Sequence, residues 1–149
     1  MKFLGLDVGN RRVGIAFGDS ELKLATPVDV VARATIAQDV GVIGQYVHEY
    51  DVERLVVGLP RNMDGTHGAQ AETVTRYAGR IAGALNLPLV LWDERLTTVE
   101  ATRRTQEVDG SRQTTRGIRR TRKSRVGLDA IAAAVILQDY IDNRGDGGE

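Results

Sequence analysis

Apolar and polar positions divide the chain into short runs of two kinds. Lys2 to Val8 is a nearly continuous apolar run and predicts a buried strand, and Arg12 to Gly18 predicts a second. Gly9-Asn10-Arg11 between them is hairpin chemistry, because glycine and asparagine tolerate positive φ. Leu24 to Ala32, rich in valine, predicts a third strand, and Pro27 inside it predicts an edge. The period then lengthens. Ala37, Val40, Ile43 and Val47 recur at helical spacing over Thr35 to Tyr50, and Val74, Tyr77, Ala78, Ile81 and Leu85 do so over Thr66 to Asn86. Two more apolar runs, Arg54 to Leu59 and Pro88 to Trp92, predict strands beside these helices.

Thr97-Thr98-Val99-Glu100 has capping-box spacing and predicts another helix start. Asp109 to Ser124 lacks apolar periodicity and reads as a mobile loop, and Val126 to Ile141 as a strongly apolar helix. The order βββαβαβαα describes an α/β domain whose mixed sheet carries helices on both faces. Residues 1–143 read as one domain, with 144–149 a flexible Gly/Asp tail.

The 149 residues suit one domain with a real core. The absence of Cys excludes a disulfide scaffold, a thiol nucleophile and Cys-ligated metal sites. No apolar run reaches the roughly 20 residues of a membrane span. Asp7 interrupts what a signal peptide would continue, so a soluble cytoplasmic protein is expected. The formal net charge of zero hides an asymmetry, since Arg103 to Arg125 holds nine Lys/Arg against Glu107 and Asp109. A concentrated patch of this kind is compatible with nucleic-acid binding even in a neutral chain.

Three acids sit where apolar residues are expected. Asp7 interrupts the first strand, Glu94 follows Leu89-Val90-Leu91-Trp92, and Asp129 shares a helical stripe with Ala132, Ala133, Ile136 and Tyr140. Burying a carboxylate is costly unless it is paired or bound to metal. Each has a bland explanation. Asp129 could complement a helix dipole or pair with Arg125, Glu94 could pair with Arg95 or cap a turn, and Asp7 could bond backbone amides near Gly9. One shared hard cation with oxygen ligands replaces three separate explanations by one. Strand alternation sends Asp93 and Glu94 to opposite faces, and the sequence leaves open which points inward.

Four blocks carry a family resemblance. Leu4-Gly5-Leu6-Asp7-Val8-Gly9 with Val13-Gly14-Ile15-Ala16, Val57-Gly58-Leu59-Pro60-Arg61-Asn62-Met63-Asp64-Gly65-Thr66, Trp92-Asp93-Glu94-Arg95-Leu96-Thr97-Thr98 and Asp129-Ala130-Ile131-Ala132-Ala133-Ala134 occur in order. Together they resemble the YqgF/RuvX-type family of Holliday-junction-resolvase-like nucleases. The resemblance implies a ribonuclease-H-like fold, a mixed five-stranded sheet of three antiparallel strands then two parallel ones. It assigns Asp7, Glu94 and Asp129 as catalytic metal ligands and leaves the substrate between a four-way DNA junction and precursor 16S ribosomal RNA. Two departures stand out: Thr114-Thr115 and Gly117-Ile118 loosen the basic run, and Asp129 is the one well-matched acid in the last helix.

Mg²⁺ or Mn²⁺ suits all-oxygen ligation better than zinc, and Asp7, on the most rigid element, is the expected ligand bridging two ions. His48 and His67 are not needed as bases. The expected nucleic-acid contacts are Arg112, Arg116, Arg119, Arg120, Arg122, Lys123 and Arg125, with Asn62 in the loop Gly58 to Gly65 and with Arg11 and Arg12, which sit beside Asp7 and could instead merely neutralise it. Near-absence of aromatics from the basic segment points to backbone and shape recognition. A symmetric junction would require a homodimer; RNA trimming would not. Two other classes compete. An actin-like kinase or ATPase, motivated by Asp7-Val8-Gly9, would need a second domain, and a non-catalytic nucleic-acid- or ribosome-binding module would bind without cleaving.

Overall fold

The computed structural model describes residues 1–60, 68–93 and 118–144, with the side chains of 118–126 left aside. Lys2–Val8 (β1) and Arg12–Asp19 (β2) form the expected hairpin, and Leu24–Ala32 (β3) adds to β2 antiparallel. Arg54–Leu59 (β4) pairs parallel with β1, and Leu89–Asp93 (β5) parallel with β4. The five-stranded sheet has the order β3-β2-β1-β4-β5, three antiparallel strands followed by two parallel ones. Pro27 does sit on the edge strand. The β2–β3 register shifts between Ile15 and Ala16, whose partners are Asp29 and Pro27, so Val28 is the extra residue of a bulge.

Side-chain alternation sorts two cores. Leu4, Leu6, Val8, Val13, Ile15, Leu55 and Val57 face Ile36–Glu49 (α1) and Ala69–Leu85 (α2). Phe3, Ala16 and Val56 face the other way, onto Ala132, Ala133, Ile136, Leu137 and Tyr140 of Ile118–Asp142 (α3). Helices therefore cover both faces.

α1 opens at Thr35 with a full capping box: the Thr35 hydroxyl accepts from Gln38 N, and the Gln38 side chain accepts from Thr35 N. Ala37 is exposed, and the core-facing positions are Ile36, Val40, Ile43 and Val47. The described part of α2 begins at Ala69 after a Gly68 cap, later than the Thr66 expected, and ends on Asn86 in the left-handed region at φ 58°.

The largest departure is at α3. Its described part begins at Ile118, so the segment expected to be loop through Ser124 is partly helical. Apolar periodicity could not show this, because Ile118 to Arg125 is dominated by Arg and Lys. Both are good helix formers, and no proline stops them from extending a helix whose later turns are docked. The helix start expected at Thr97 lies outside the described residues.

Tyr140 fastens the end of α3 to the sheet, with edge-on ring contacts to Phe3 at 5.3 Å and Trp92 at 5.4 Å. Arg54 Nη1 donates to its hydroxyl at 2.9 Å, and Trp92 Nε1 donates to Asp139 at 2.7 Å. These contacts tie β5 to the helix that carries Asp129. Among the described residues no helix is long and apolar enough to cross a membrane.

Candidate active site

Asp7 belongs to the α3-facing set of β1, in alternation with Phe3 and Gly5, and is only 6% exposed. Its cross-strand partner is Gly14. A Cβ on Gly14 would lie 2.0 Å from the carbonyl oxygen of Asp129 and 2.5 Å from its carbonyl carbon. Glycine is thus required for helix backbone to rest on strand backbone at this point. The contact delivers Asp129 to the same sheet face as Asp7, one strand away.

Asp129 shares its stripe with buried Ala132, Ala133, Ile136 and Tyr140, as the spacing predicted. It lies well inside α3, so complementing the helix dipole at an N-terminus does not account for it. Its partner is Arg12, with Nε 2.8 Å from Oδ2. Yet Oδ2 has essentially no solvent access and receives no hydrogen bond among the described residues. Both observations hold together because proximity and alignment differ. The guanidinium supplies charge at close range without directing an N–H at the oxygen.

Asp93 pairs with Leu59 at the end of β5. In this strand Val90 and Trp92 join the α3-side core, whereas Leu89 and Leu91 join the opposite one. Asp93 therefore belongs with Leu89 and Leu91, on the face away from Asp7.

The loop after Asp7 is braced from behind. Gly9 N donates to Arg12 O at 2.8 Å, and Arg33 donates its Nη1 to Gly9 O at 2.9 Å and its backbone N to Arg11 O at 2.8 Å. The Arg33 guanidinium lies 4.3 Å from the Tyr77 ring centroid. Tyr77 donates its hydroxyl to Asp39, which is 3% exposed and also accepts from Ala34 N. Burial and then the Asp39 bond push the Tyr77 phenol above its ordinary range.

Sequence reading missed this brace. Asp39 was legible only as a polar residue between Ile36 and Ile43 on the core side of α1.

Of the other expected residues, Arg11 and His48 are exposed. Glu94, Asn62, His67, Arg112 and Arg116 lie outside the described residues. Arg119, Arg120, Arg122, Lys123 and Arg125 fall on the backbone of α3, with side chains likewise outside that set. Among the described residues no three His, Asp or Glu side chains form a metal-holding group.

A family model described as RuvX, Holliday junction resolvase, matches residues 1–143. The chain belongs to this family. A "Putative pre-16S rRNA nuclease" of Pelotomaculum thermopropionicum is 41% identical over 146 residues, covering 97% of this chain and 89% of that protein. One of the same name from Anaeromyxobacter sp. (strain K) is 43% identical over 144 residues, covering 97% and 98%.

The fold of this chain is that of the RuvC-like resolvases. T. thermophilus RuvC in complex with a Holliday junction substrate superposes with a TM-score of 0.59 at 17% identity, covering 97% of this chain and 95% of that one. Fowlpox virus resolvase in complex with Holliday junction DNA gives 0.54 at 11% identity, covering 98% and 100%. The five-stranded ribonuclease-H-like sheet is therefore established. So is membership in a family of nucleases, enzymes that hydrolyse phosphodiester bonds. Nucleases of this kind normally need a divalent metal ion, and the buried Asp7 with the unsatisfied Oδ2 of Asp129 fits that requirement.

Proposed function

We infer that this chain is a divalent-metal-dependent nuclease acting on structured nucleic acid, with Asp7, Glu94 and Asp129 as its metal-holding carboxylates. The observation carrying this reading is the approach of α3 at Gly14, which brings Asp129 to the face where Asp7 is buried. Glu94 is included on the sequence alone, as the acid that directly follows β5 in the block Trp92-Asp93-Glu94-Arg95.

Bound Mg²⁺ or Mn²⁺ supplies Lewis-acid charge to polarise the phosphodiester and activate water. The chain's own part is to hold that charge and orient the substrate. Asp7 sits on the central strand, flanked by β2 and β4, and is buried there. Arg11, Arg12 and Asn62 are the proposed contacts to phosphates beside the cut. Arg112, Arg116, Arg119, Arg120, Arg122, Lys123 and Arg125 are the proposed clamp, the last five on a helix continuous with the one bearing Asp129.

Residues 1–143 act as one nuclease domain in this reading, in the cytoplasm, where precursor ribosomal RNA and branched DNA are both available. Precursor 16S ribosomal RNA is the favoured substrate, because the relatives carrying that name share about 40% identity over nearly the whole chain. The resolvases share the fold at far lower identity. A junction substrate would bring with it a homodimer, to supply two sites.

The test is cleavage of a precursor 16S RNA fragment and a four-way DNA junction, side by side, with Mg²⁺, with Mn²⁺ and with chelator. Metal-dependent cutting is expected, with RNA preferred. Binding without cutting at any metal concentration would instead identify a non-catalytic binding module.

A further inference from the structure

The pairing of Arg12 with Asp129 combines features that an ordinary ion pair does not. Arg12 opens β2 and alternates with Gly14 and Ala16, so it belongs to the face shared by Asp7 and α3. Its Nε lies 2.8 Å from Asp129 Oδ2, yet that oxygen is closed to solvent and receives no hydrogen bond among the described residues. The arginine side chain is 49% exposed and the aspartate 29%. The guanidinium therefore has water on one side and a poorly directed contact on the other. Its backbone is fixed independently, since Arg12 O accepts from Gly9 N at 2.8 Å. The side chain can leave without disturbing the hairpin.

We propose that Arg12 is an exchangeable counter-ion: a divalent metal ion displaces it from Asp129, and the released guanidinium then binds a phosphate of the nucleic acid. This rests on the metal-dependent nuclease reading above. The chemistry follows from charge. A dication drawn to Asp129 and Asp7 repels a guanidinium held against the same oxygen. A guanidinium freed at the rim of the site has, in a phosphate, a bidentate acceptor to replace the carboxylate. Metal and nucleic acid then bind with positive coupling, because the metal removes the intramolecular competitor for Arg12. By linkage the nucleic acid tightens the metal by the same factor.

The experiment is a calorimetric titration of the full chain with Mn²⁺ alone, comparing wild type, Arg12→Gln, Arg12→Lys and Asp7→Asn. It is paired with anisotropy binding of a four-way junction whose phosphorothioate backbone resists hydrolysis. Circular dichroism confirms that each variant is folded. Arg12→Gln is expected to bind Mn²⁺ about fivefold or more tightly than wild type, and Arg12→Lys to fall between them. In wild type, Mn²⁺ is expected to tighten junction binding by about fivefold or more, and in Arg12→Gln by less than about twofold.

Unchanged or weaker Mn²⁺ binding by Arg12→Gln, with Asp7→Asn still weakening it, overturns the exchange and leaves the metal site standing. Equal coupling in wild type and Arg12→Gln does the same. Wild type that binds no Mn²⁺ overturns both readings.

Discussion

Asp7 and Gly14 are cross-strand partners, and the glycine's missing side chain is what allows the backbone of Asp129 to rest on the sheet beside the acid. One hydrogen in place of a methyl group decides whether the helix backbone can rest on the strand at this point.

Gly14→Ala should therefore damage stability and catalysis together. Its Cβ would meet backbone atoms, which cannot rotate away, so α3 must move. The expected cost is about 1–3 kcal/mol by chemical denaturation. Cleavage should fall by about a hundredfold or more, because a displacement near 1 Å suffices for that. Gly79→Ala in α2 meets open space and should be neutral, or stabilising by up to about 1 kcal/mol, with activity unchanged. Full activity in Gly14→Ala would show that the helix approach does not position the site.

The brace behind the Asp7 loop should show in alkali. Burial and the Asp39 bond raise the Tyr77 phenol above the free value of 10.0, and the bond to Asp29 leads the causes that push Tyr46 up to about 12. Above pH 10 the unfolded chain loses these protons while the folded chain keeps them. The unfolded state then binds fewer protons, so stability is complete below that pH and falls as pH rises through the folded values. Urea midpoints measured between about pH 8 and pH 11 should decline at the upper end, and less steeply in Tyr77→Phe. At neutral pH that variant should cost about 1–3 kcal/mol, because buried Asp39 loses a donor. Identical slopes in wild type and variant would contradict the assignment.

Affinity for nucleic acid should fall with salt. If the basic segment contacts phosphates, log K against log salt is linear, with a slope near −0.9 for each DNA phosphate neutralised. Replacing Arg119 and Arg120 together by Ala should flatten that slope by about two units. An unchanged slope would remove these arginines from the interface.

The sequence disclosed those parts of the molecule that depend on local pattern. Alternating apolar runs located all five strands, Pro27 identified the edge, and the stripe through Asp129, Ala132, Ala133 and Ile136 gave the buried side of the last helix. Asp7 stood out because a carboxylate inside an apolar strand requires a reason. Relationships fixed by tertiary contact were hidden. Nothing in Val13-Gly14-Ile15 indicates which backbone lies on the glycine, and nothing near Arg12 identifies Asp129 as its partner. The helical stretch from Ile118 was concealed for a different reason: periodicity registers apolar stripes, and Ile118 to Arg125 is mostly Arg and Lys. Asp39 was missed because its two donors come from Ala34 and from Tyr77 on another helix.

The most direct test of a carboxylate-held metal site is Asp7→Asn, with cleavage and binding measured on the same preparation. The substitution keeps the shape of the side chain and removes the charge that would hold the metal, while the proposed phosphate contacts stay in place. Cleavage of the preferred nucleic acid should be lost at saturating Mn²⁺, with affinity for it within about threefold of wild type. A variant that is folded and still cuts at the wild-type rate would contradict the account.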